Sequence, residues 1–177
     1  MAVRTQIVGA ALAGLLLFAT AASSQILGRD PLTPQEADQV RNTADQLNQR
    51  VPLLLSFAQV RLDQFEKIRA APATSPGRSA QLYLMLQQYR AILAEYDDAV
   101  DDLASPPQPG GPKYKVGKVL DGVIKAEQAM LAHLQQIQNN SSSADLASYH
   151  FELQNCLDAT NDSLQNAEQD RANAGKK

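Results

Sequence analysis

Apolar residues recur every three or four positions through almost the whole chain beyond residue 33, and no stretch sustains an alternation of period two. That spacing lines one face of a helix with apolar side chains and leaves the opposite face polar. A helix of this kind is marginal in water by itself and needs neighbours to cover its stripe. The chain is therefore expected to be all-α. Breaks rich in Pro, Gly, Ser and Asn divide the pattern into four helices.

The first helix starts at TPQE, with Thr33 as N-cap, Pro34 at the first helical position and Glu36 completing a capping box. Its stripe runs Ala37, Val40, Ala44, Leu47, Val51, Leu54, Ala58, Leu62, Phe65 and Ile68, straight through Pro52. An interior Pro removes a hydrogen bond and bends a helix, so the spacing predicts one Pro-kinked helix to about Ala70. The second helix spans about Arg78 to Ala104, with Leu82, Met85, Leu86, Tyr89, Leu93, Tyr96, Val100 and Leu103 inward. The third spans about Lys115 to Gln138 and turns Val116, Val119, Val123, Ala126, Met130, Leu134 and Ile137 inward. The fourth follows a Ser-rich turn capped near Ser142, runs from about Ser143 to Asn166, and buries Leu146, Tyr149, Leu153, Cys156, Leu157 and Leu164. Short connections between long helices predict an antiparallel up-down-up-down four-helix bundle with coiled-coil-like packing over 33–166, then a polar tail over 167–177.

Residues 1–24 carry one Arg, an apolar stretch from Ile7 to about Phe18 and the small residues Ala19, Thr20 and Ala21, the pattern of a cleaved secretory signal peptide. An uncleaved anchor is the rival reading, but the apolar stretch is shorter than the roughly 20 residues a spanning helix needs, and no integral span is expected after cleavage. A linker over 25–32 leads to the bundle, and the mature chain is expected to be extracytoplasmic, periplasmic or secreted. The formal charge of -3 becomes -4 on loss of Arg4. An acidic chain without a concentrated basic face argues against nucleic acid as a partner. Cys156 is the sole cysteine, so no internal disulfide forms and the thiol is expected to pack as a small apolar group.

EYDDAVDD, residues 95–102, places Glu95, Asp97, Asp98, Asp101 and Asp102 within an arc of about 160°, opposite Tyr96, Ala99, Val100 and Leu103. These acids are expected to face solvent as a surface patch at the negative end of a helix dipole. Lys113, Lys115 and Lys118 cluster across the next break, and in an antiparallel hairpin the two clusters would offset each other. A calcium site built on Asp97, Asp98, Asp101 and Asp102 is an alternative, but the loop and Gly turn of a DxDxDG site are absent. A docking face for a basic partner is another.

The chain carries no CxxCH, CxxC, HExxH, Gly-rich phosphate loop, GxSxG elbow or Glu-x-x-His pair. With only His133 and His150 as candidate bases, it is expected not to be an enzyme and to need no cofactor. Folding the helices back about their turns brings His133, His150 and Met85 to one level. A haem or copper site on these three is therefore the alternative to an interaction role. Glu127 lies close to the apolar centre of the third helix, from which its carboxylate could reach solvent at the flank. Asn139, Asn140 and Asn161 each begin an Asn-x-Ser match, relevant only in a glycosylating pathway.

By elimination, the residues point to a non-enzymatic helical bundle that binds another protein, scaffolds an assembly or acts as a chaperone-like module. LTPQE at Leu32 to Glu36 resembles the LTxxQ motif of Spy-like periplasmic chaperones, with Glu36 where that motif has Gln. The same five residues also make an ordinary helix start. A protein-interaction role further predicts an exposed apolar patch or groove, beside the Pro52 kink, larger than the few hundred Å² usual for a monomer.

Overall fold

Local signals at the helix ends act much as the sequence implies. The computed structural model describes residues 30–105 and 115–174; among them are five helices and no strand. They are α1 (Pro34–Asn42), α2 (Leu47–Arg69), α3 (Arg78–Ala104), α4 (Val116–Asn140) and α5 (Ser143–Ala174). Thr33 Oγ1 accepts the Glu36 N–H and Glu36 accepts the Thr33 N–H, the reciprocal pairing of a capping box. Ser142 Oγ accepts the Asp145 N–H at the start of α5. The proposed signal peptide, most of the linker and Lys113 lie outside the described residues.

The single Pro-kinked first helix is not what forms. The chain leaves helical geometry at 43–46, ahead of Pro52, which sits inside a continuous α2. Thr43 Oγ1 donates back to the carbonyls of Gln39 and Val40, and the N–H groups of Thr43, Ala44 and Gln46 each reach a carbonyl three residues earlier. These tight turns redirect the chain and let Glu36 reach Arg61. Twenty-five residues of unbroken helix would hold those two about 37 Å apart. Arg61, itself buried, donates from both terminal nitrogens to Glu36 and from Nη2 to the Pro31 carbonyl. Burial opposes ionisation of Glu36, but the hydrogen bonds from Arg61 and Thr33 hold its carboxyl below the usual range.

The core is built by α2 to α5. α2 packs on α3, α4 on α5, α3 on α5 and, least extensively of these four seams, α2 on α4. Tyr89, Tyr96, Tyr149 and Phe65 are its largest fully buried side chains, packed among leucines from all four helices. Phe65 and Tyr149 meet edge to face, with centroids 5.1 Å apart. Arg78 ties three helix ends together: it donates to the carbonyls of Ile68 and Arg69 at the end of α2 and pairs with Asp145 in the first turn of α5.

Two further expectations shift. The helix thought to fade near Asn166 continues to Ala174, with Ala167 buried and Arg171 paired to Asp121 of α4. On α4, Leu120 and Glu127 face the core, whereas Ala126 is exposed. The apolar stripe of α4 is wider than its packed face, and the surplus is left uncovered.

Candidate binding groove and a buried acidic cluster

That surplus borders an open groove. A cavity of about 670 Å³ lies between α2 and α4, lined on α2 by Pro52, Leu55, Ser56 and Gln59 and on α4 mainly by Val119, Gly122, Val123, Ala126 and Met130. The α2 residues recur at i, i+3, i+4 and i+7, and the α4 residues follow the same kind of row, so the two walls run along the helices. From Lys118 to Met130 the α4 wall extends about 18 Å, some three helical turns. A Cβ added at Gly122 would meet no atom of a neighbouring element within 4 Å, which shows how open the floor is. Pro52 stands in its α2 wall, inside a continuous helix.

Lys118 is the one charged residue lining the groove. Among the described residues neither Lys118 nor its neighbour Lys115 has an ion-pair partner. The N-terminus of α4 receives no side-chain cap and has no acid in its first turn. One end of the groove is therefore positive, from a lysine and from uncapped backbone N–H groups. The expected offset of the acidic run by these lysines does not occur for Lys115 and Lys118. α3 and α4, although joined in sequence, are not among the extensively packed pairs.

The acidic run also divides. Asp98, Asp101 and Asp102 are exposed as expected, whereas Glu95 is half-buried and Asp97 turns inward. Ser163 of α5 lies 2.5 Å from Asp97 Oδ1 and 2.6 Å from Glu127 Oε1, with Glu127 0% exposed. One hydroxyl hydrogen serves only one of two such contacts; the other requires a proton on a carboxyl. Burial is the main cause that pushes Asp97 up to about 6 and Glu127 up to about 7. Asp98, Asp101 and Asp162 reinforce the shift at Asp97, and Asp97 and Glu168 do so at Glu127. The Tyr96 hydroxyl is buried beside Glu127, and hydrogen bonding from Ser163 and Tyr96 offsets part of the shift at Glu127. Nearby, Thr160 donates to the Cys156 carbonyl, which leaves Tyr89 to donate to Thr160. The Cys156 thiol is buried and free, held 3.3 Å from the Leu86 carbonyl, and burial pushes its pKa up. It packs as a small apolar group and is a poor nucleophile.

His133, His150 and Met85, the alternative cofactor site, lie on three different helices. His133 is half-buried on α4 with Nε2 3.2 Å from Glu66 of α2, His150 is exposed on α5, and Met85 packs half-buried against the core from α3. Among the described residues no three His, Cys, Asp or Glu side chains are grouped as a metal ion requires. No described helix is long and apolar enough to cross a membrane. Fold and site together define an all-α protein with an open apolar groove between two of its helices. No family model, no curated protein and no solved structure matches the chain.

Proposed function

We propose that the chain is a non-enzymatic, extracytoplasmic protein-interaction module, with the groove between α2 and α4 as its docking surface. In this reading α2 to α5 form one four-helix bundle made of two antiparallel hairpins, α2–α3 and α4–α5, lying side by side. Residue pairs support that arrangement: Arg78 with Asp145, Tyr89 with Thr160 and Asp97 with Ser163 rise together along α3 and α5, while Asp121 with Arg171 and Glu127 with Ser163 run oppositely along α4 and α5. The groove is the observation that carries the functional reading. It has the volume and apolar walls of a binding site between helices of a bundle, and its helical rows suit an amphipathic segment laid lengthwise.

A photoreactive side chain introduced at position 126 in producing cells tests this. Crosslinks to a protein partner are expected there, absent with the same group at Gln128 on the opposite side of α4, and lost when Gly122→Leu fills the floor. Crosslinking that is indifferent to Gly122→Leu, or equal at the two positions, would remove the groove as the docking surface.

A further inference from the structure

Phe151 is 75% exposed on α5, the most exposed of the large hydrophobic side chains described. A Phe this exposed contributes little to the core, and on its N-terminal side its face of α5 is small, with Ala144, Ala147 and Ser148 exposed; on the other side follow half-buried Gln154 and Asn155. Seven residues further, two turns along the same face, stands exposed Asp158, which accepts a hydrogen bond from Gln154 but has no ion-pair partner among the described residues. This strip of α5 has the features the groove calls for: one large apolar side chain, small residues that admit close approach, and an acid at one end.

The spacings agree. Phe151 and Asp158 are about 10 Å apart along α5, and Lys118 lies about 6 to 12 Å from Gly122 and Ala126 along α4. With α5 of one copy antiparallel to α4 of another, Phe151 enters the floor at Gly122 and Ala126 while Asp158 meets Lys118 and the uncapped start of α4.

We infer that the groove of one copy receives the α5 face of a second copy. The inference rests on the groove being the docking surface and names its occupant. The groove belongs to α2 and α4 and Phe151 to α5, so the two surfaces differ and the contact is heterologous. Each copy keeps one groove and one α5 face free, so copies add head to tail into rings or open chains. A contact about three turns long is at the small end of specific interfaces, and the association is correspondingly weak and concentration-dependent.

Sedimentation velocity of the full chain, recovered from the producing cells and run over a concentration series, tests this. The wild type is expected to gain mass with concentration, and Phe151→Ser and Gly122→Leu are each expected to stay monomeric. Mixed in equal amounts, the two variants are expected to form a dimer and stop there, because one supplies an intact groove and the other an intact Phe151. Lys118→Glu and Asp158→Lys should each weaken association about threefold, with the double variant restoring it. A wild type monomeric throughout, variants that associate like the wild type, or a mixture that stays monomeric would overturn self-docking. If the wild type is monomeric while Gly122→Leu still abolishes the partner crosslink, the groove stands as a docking surface and only its self-occupancy fails.

Discussion

Glu127 is the residue whose environment departs furthest from what its chemistry prefers. A carboxyl with no exposure, contacting Ser163 and surrounded by other acids, retains its proton to about pH 7. Asp97 shares the same hydroxyl, so the two titrate as a pair. Both folded-state values are raised above the unfolded ones, so their contribution to stability is complete at about pH 4 and is lost as pH rises through 6 to 7. Glu36 and Asp145 act in the opposite sense, because their lowered values add stability above the unfolded range that is lost in acid. Thermal unfolding should therefore place maximum stability near pH 5. Glu127→Gln, which keeps size and hydrogen-bonding capacity, should flatten the decline between pH 5 and 8 by on the order of 3 kcal/mol. An unchanged decline in that variant would show that the carboxyl does not hold a proton there.

At the scale of elements, α1 depends on its contact with α2 more than on its own nine residues, a length marginal for an isolated helix. Glu36 serves two purposes, closing the capping box and pairing with buried Arg61. Glu36→Gln preserves the first role and removes the second, leaving a buried guanidinium short of its counter-charge. Breaking such a pair should cost about 2 to 3 kcal/mol and release α1 first. Hydrogen exchange would show this as lost protection in Pro34–Asn42, with α3 and α5 little changed. Adding Arg61→Met removes the stranded charge and should recover much of the loss. If the double variant is as unstable as the single one, the cost lies in packing around Arg61 and not in its charge.

For the whole molecule, the thinly packed α2–α4 seam separates what holds the fold from what the groove does. Gly122 lies in a helix interior with open space around it, so Gly122→Leu should stabilise by about 1 kcal/mol, or roughly 3 °C in Tm. The same change should abolish partner crosslinking and self-association. A loss of stability in this variant would mean that the groove is narrower than it stands here. The all-α class, the capping box at Thr33, the ends of α3 and most core positions followed from the spacing of apolar residues and from end signals, which are local. Three features were not readable that way. The bend at 43–46 is fixed by Glu36 reaching Arg61, and the inward turn of Asp97 by Ser163 on another helix. The rotation of α4 that buries Glu127 and exposes Ala126 is set by which neighbours it packs against.

The sequence by itself determined that this chain is helical and where most of its helices begin and end. Period and capping are properties of a segment, and a segment of sequence contains them. Only the tertiary structure decided that α2 and α4 leave that groove open, that the acids of the 95–102 run divide between solvent and core, and that Lys118 and Phe151 remain uncovered. Burial and pairing are relations between segments, set by the distances at which helices pack, and no single stretch of the chain carries them.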